Sequence, residues 1–111
     1  LDPGNRLTLA GTLVARDALR YTPAGVPIVS FRVAHASQQR EAGAERQVEM
    51  EMACVAVEGL ARLVAAAPLG GGVVTRGFVA RKGKSSRQLV LHVTELEFSE
   101  GERDASSQQR T

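Results

Sequence analysis

Leu7, Leu9, Gly11, Leu13 and Ala15 alternate with Thr8, Ala10, Thr12, Val14 and Arg16, the period of one long, half-buried strand. Gly11 falls at its middle and marks a bulge, a bend or a close backbone approach, as a strand serving two sides of a small barrel requires. A turn signal, Tyr21-Thr22-Pro23-Ala24-Gly25, precedes a second strand over residues 28–37. There Val29, Phe31, Val33 and His35 alternate with Ser30, Arg32, Ala34 and Ala36, so that one face is apolar and the other carries Arg32. Residues 38–47 are polar without a period, which predicts a mobile loop. A third strand covers 48–57, with Val48, Met50 and Met52 on one face and Glu49 and Glu51 on the other. In residues 58–67 the period changes: Leu60, Leu63, Val64 and Ala67 fall at i, i+3, i+4 and i+7, a short helix ended by Pro68 and Gly70-Gly71-Gly72.

Beyond Val73 two further apolar runs form a hairpin, the first ending in Gly77-Phe78-Val79-Ala80 and the second opening with Gln88-Leu89-Val90-Leu91-His92-Val93. In the second run the inward set Leu89, Leu91, Val93 changes parity to Leu96 and Phe98. That implies a bulge, or burial on both faces as at a subunit interface. Three strands, a short helix and two strands in about a hundred residues is the order of an all-β, five-stranded OB barrel, with the helix between strands three and four. Such barrels hold ligands on the face of strands two and three and in the loops joining strands one to two and four to five.

Composition sharpens this picture at three points. The chain has 111 residues, enough for one core, and its interior must rest on Val, Leu, Ile and Ala, since aromatics make up only 4% and Trp is absent. Net charge is +2, but residues 1–94 carry twelve Lys and Arg against seven Asp and Glu, while 95–111 carry two against five. A basic body with an acidic end is the pattern of a polyanion binder. Cys54 is the single cysteine, which leaves no intrachain disulfide framework. No apolar run nears the roughly 20 residues that cross a bilayer, and the start lacks the pattern of a signal peptide. A cytoplasmic protein with no membrane association is expected.

The seven residues Arg81-Lys82-Gly83-Lys84-Ser85-Ser86-Arg87 between strands four and five hold four cations and no acid. A loop charged for solubility mixes signs; one of a single sign suits phosphates, whose counterions it displaces. Arg81, Lys82, Lys84 and Arg87 are therefore the main candidate nucleic-acid contacts, with Arg20, Arg32 and Arg46 extending them from the first loop, strand two and the loop that follows. Aromatic platforms for bases are scarce. Phe31 belongs to the core, whereas Phe78, sharing parity with Arg76, and Tyr21, beside Arg20, can face outward. Glu49 and Glu51 oppose phosphate binding unless Arg32 or Arg46 neutralises them. Catalysis finds no constellation: His35 and His92 lack partners at a ligand spacing, Cys54 reads as an inert buried thiol, and Gly70-Gly71-Gly72 lacks the Lys-Ser or Lys-Thr of a phosphate cradle. No enzyme activity, metal or cofactor is expected.

Asn5-Arg6-Leu7-Thr8-Leu9-Ala10-Gly11-Thr12, Pro23-Ala24-Gly25-Val26-Pro27, Phe31, Glu41-Ala42-Gly43, Arg46-Gln47, Gly77-Phe78-Val79 and Leu89-Val90-Leu91-His92 resemble the primosomal replication protein N family of bacterial replication restart. The likeness runs from about Asn5 to Glu100. It implies a non-catalytic homodimer that binds single-stranded DNA without sequence preference, and that contacts the primosomal helicase and the loader-associated primosome protein. It also implies that the strand 4–5 cations and Arg20 bind DNA. The expected organisation is a disordered or extraneous start at 1–4, one DNA-binding domain at 5–100, and a disordered acidic and polar tail at 101–111. Two other functions fit the pattern: an adaptor bridging helicase and loader with only weak DNA affinity, and an RNA-binding OB protein.

Overall fold

A computed structural model describes residues 3–99; the expected tail at 101–111 and the first two residues of the expected start lie outside the described residues. The elements in chain order are β1 (Leu7–Arg16), β2 (Arg20–Tyr21), β3 (Pro27–Glu41), β4 (Ala44–Val57), α1 (Glu58–Ala66), β5 (Gly72–Arg81) and β6 (Leu89–Ser99). β1, β3, β4, β5 and β6 are the five expected strands. They form a closed barrel in the order β1-β5-β6-β4-β3, closed by a second pairing of β1 with β3.

Closure depends on β1 pairing with two different strands of the one sheet. Its first half, Leu7 to Thr12, pairs antiparallel with β5, and its second half, from Thr12 to Arg16, pairs with β3. The register slips between Leu13 and Ala15, so Val14 is the bulged residue. Gly11 is the close approach: a Cβ there would run into the carbonyl of Ala34. On the other side of the barrel β4 and β6 meet in a short parallel pairing, Cys54 with Leu91 and Val55 with His92.

Inside lie Leu9, Leu13, Val29, Phe31, Val33, Leu91 and Val93, the inward set of the alternating strands. Each such Val, Leu or Phe stabilises the barrel by about 1.5–3 kcal/mol. The fully buried Thr75 is satisfied because its hydroxyl donates to the Leu9 carbonyl at 2.9 Å. Helix α1 closes one end of the barrel with Ala61 and Val64, and Ala67 beyond it is buried as well. The expected helical face requires a correction, since Leu63 is 51% exposed. The small Ala61 lets the helix approach closely, and the inward arc is then centred on Leu60, Ala61, Val64 and Ala67. At 3.6 residues per turn Leu63 falls outside that arc.

Residues 38–47 also differ from expectation: they are not a loop. β3 and β4 pair without interruption from Ile28 and Val57 to Glu41 and Ala44. Their turn is Ala42-Gly43, with φ of 54° and 80°, the left-handed pair that matches strand twist in a two-residue hairpin. Because this arm extends beyond the core it has no apolar face. It is laced instead by Arg40–Glu45 at 3.4 Å and Arg46–Glu41 at 2.8 Å. The parity change in β6 is a bulge, not two-sided burial: Arg76 pairs with Glu95 and Gly77 with Val93, leaving Thr94 extra.

Candidate nucleic-acid interface

The β5–β6 hairpin opens after Arg81 pairs with Leu89. Its loop is closed at the base by the Lys82 amide donating to the Gln88 carbonyl at 2.8 Å, and turned at the tip by the Ser86 amide on the Gly83 carbonyl at 3.1 Å. The Gln88 amide adds a bond to Ser86 Oγ at 3.0 Å. A loop so braced carries Arg81, Lys82, Lys84 and Arg87 outward, all exposed. Among the described residues, none of these four cations forms an ion pair, whereas Arg32, Arg40, Arg46 and Arg76 each do. Their charge faces solvent, with no counterion among the described residues.

At the base of the loop lies a groove of about 500 Å³ running across β3, β4 and β6. Lys82 enters it from the loop, Arg16 and Arg20 from the end of β1 and from β2, and Arg32 from β3, against the single carboxylate of Asp17. Ile28, Val55 and Val90 supply its apolar floor. Tertiary structure thus joins Arg20, Arg32 and Lys82, which sequence scatters over three elements. Arg32 donates to Glu51 at 3.0 Å, so this glutamate is neutralised in the way its position demands. Arg16 donates to the carbonyl of Ala67 just after α1, a favourable place for a cation at a helix C-terminus.

Arg46 does not join the groove. It stands on the far arm, opposite Gln39 and paired with Glu41, seven residues along β4 from Ala53 beside Arg32. That is about 23 Å at the rise of an extended strand. A larger concavity of about 740 Å³ bounded by β1, β3, β4 and β5 is lined by Glu49 and Glu51 and by no Lys or Arg. Its sign is wrong for phosphate, and size does not compensate. His35 there is structural, bridging the Ala10 carbonyl at 2.6 Å and Ser37 Oγ at 2.9 Å.

His92 was not expected at the site, yet it lines the groove and stacks on Phe78, with ring centroids 4.9 Å apart and planes 2° from parallel. The signal was available in the alternation, since Leu91 and Val93 point inward and oblige His92 to point out. Cys54 is buried; burial pushes its thiol up to about 12 against a smaller opposing pull from Arg32. Among the described residues no three His, Cys, Asp or Glu side chains cluster in a way that could hold a metal ion, and no helix is long and apolar enough to cross a membrane.

Residues 5–95 match a family described as another single-strand binding protein family. The replication restart protein PriB of Nitrosomonas europaea is 39% identical over 89 residues, covering 80% of this chain and 82% of the relative. The chain belongs to the PriB family of single-strand binding proteins. The solved structure of PriB from Ralstonia solanacearum superposes with a TM-score of 0.78 at 39% identity, covering 85% of this chain and 96% of that one. The single-stranded DNA binding protein from Thermus aquaticus, at 24% identity, has a TM-score of 0.70 over 87% of this chain and 50% of that one, a likeness of fold. Both likenesses agree with the closed OB barrel described above.

Proposed function

We propose that this PriB-family protein is a non-catalytic single-stranded DNA-binding component of replication restart, which holds the phosphate backbone without sequence preference and stabilises the primosomal helicase on DNA. The observation that carries the reading is the set of four loop cations that form no ion pair among the described residues, set above a groove to which Arg20, Arg32 and Lys82 converge. Backbone neutralisation of this kind releases counterions and reads no sequence. The family's printed description and the replication-restart names of its members support the same reading. A homodimer, contacts with the helicase and the loader-associated primosome protein, and a cytoplasmic setting belong to the proposal through family likeness.

The deciding measurement is the affinity for labelled oligo-dT at several salt concentrations. Replacing Arg81, Lys82, Lys84 and Arg87 together by Ala is expected to flatten the log–log salt slope by about 0.7 per lost contact. An unchanged slope would remove the loop from the site. Competition by an RNA strand of matched sequence separates DNA from RNA binding, because a site that prefers RNA must contact the 2′-hydroxyl.

A further inference from the structure

Phe78 is 43% exposed, although the chain has only three phenylalanines and buries Phe31 to 3%. Its position follows from register: Phe78 pairs across the hairpin with His92, and both lie on the outer face because Leu91 and Val93 take the inner one. The two rings are parallel, so the outer wall of β5 and β6 presents a slab of two stacked rings. A large apolar ring half in water contributes little to folding for the area it leaves exposed.

The slab is placed where a nucleic-acid strand would run. Lys82 follows Phe78 by four residues, an even step that keeps to the same face, about 13 Å along at the usual rise, and His92 lines the groove that Arg32 and Lys82 enter. Phe98 lies at the opposite end of the hairpin, paired with Val73. Tyr21 is 55% exposed and sits on a two-residue strand. Phe78 is thus the aromatic side chain that strand pairing and a neighbouring ring both hold in place beside the cations.

We propose that Phe78, held parallel to His92, is the platform on which one nucleobase of a bound single strand stacks. This inference rests on the single-strand binding proposed above. Stacking needs only a π-face, which every base offers, so it adds affinity while leaving sequence preference low. His92 braces the ring, and a ring already oriented loses less freedom on binding.

The test compares oligo-dT with an abasic deoxyribose-phosphate strand of equal length, using the full chain and the variants Phe78→Ala and Phe78→Leu. Both variants are expected to lose roughly five- to hundred-fold in oligo-dT affinity and to bind the abasic strand as the parent does. Phe78→Leu keeps an apolar side chain at the position, so a fold defect in Phe78→Ala does not blur the result. Phe78→Trp supplies the single Trp of the chain, and its fluorescence is expected to be quenched by oligo-dT and not by the abasic strand. Equal losses on the two strands, no loss on either, or equal quenching by both would overturn the platform while leaving backbone binding intact. A parent protein that bound neither strand would overturn the single-strand reading itself, and the platform with it.

Discussion

The carbonyl of His92 occupies the space beside Gly77 that a β-carbon would fill. This contact lies where β5 and β6 change register, with Thr94 bulged out of the opposing strand. A bulge of this kind bends and twists the strand that carries it. Gly77→Ala is expected to destabilise the protein by about 1–3 kcal/mol, the cost of forcing a methyl into packed backbone. Gly59→Ala on α1, where nothing lies within 4 Å, is expected to be neutral or stabilising by up to about 1 kcal/mol. Urea denaturation of the two variants checks the contrast; equal effects would mean that the collision at Gly77 is relieved by strand movement.

Lys82 in the main cationic loop and Arg46 as an extension of it were both sequence candidates, and the fold separates them. Lys82→Ala is expected to reduce the salt slope of oligo-dT binding by about 0.7. Arg46→Ala should leave it unchanged, because this guanidinium is paired with Glu41 on the distant arm. Equal losses from both would extend the DNA path onto the arm.

Glu51 holds Arg32 at 3.0 Å, with both side chains about half exposed. Exposed pairs of this kind contribute about 0–1 kcal/mol, so Glu51→Gln should change the unfolding midpoint little. It should tighten oligo-dT binding at low salt and steepen the slope, since it frees one cation at the edge of the groove. Titration of parent and variant at two salt concentrations tests both statements.

Cys54 gives the protein an alkaline weakness. The unfolded thiol ionises near 9.0, whereas burial raises the folded one to about 12. The unfolded chain therefore binds fewer protons between those values. Stability from this source is complete below pH 9 and falls by about 1.4 kcal/mol per pH unit as the pH rises toward 12. Cys54→Ala should lack this component, so denaturation of parent and variant at pH 8 and pH 10.5 should show the two stabilities converging at the higher value.

The barrel strands could be read from the chain because each has one wet and one dry face. Val29, Phe31 and Val33 announce their side by alternation, and the slip from Val93 to Leu96 announced the bulge at Thr94. The arm over 38–47 could not be read in this way. A strand pair that leaves the core has polar residues on both faces, and its one local cue, Ala42-Gly43, lacks the Asn-Gly or Asp-Gly that marks such turns most strongly. Leu63 misled for a related reason: several helical arcs fit a short apolar pattern, and the closeness allowed by Ala61 selects among them.

By itself the sequence determined the order of the five barrel strands and the helix, most of the inward residues, with Leu89 and Phe98 exposed against expectation, and the single-signed loop Arg81–Arg87, since alternation, helical period and local charge are properties of neighbouring residues. Only the tertiary structure decided that Arg20, Arg32 and Lys82 share one groove, that Arg46 does not, and that Phe78 lies flat against His92. The groove comes from the pairing of β1 with two strands and the parallel contact of β4 with β6, which join residues far apart along the chain. The place of Arg46 and the Phe78–His92 stack come from the registers of β3 with β4 and of β5 with β6, and none of these leaves a period in the sequence.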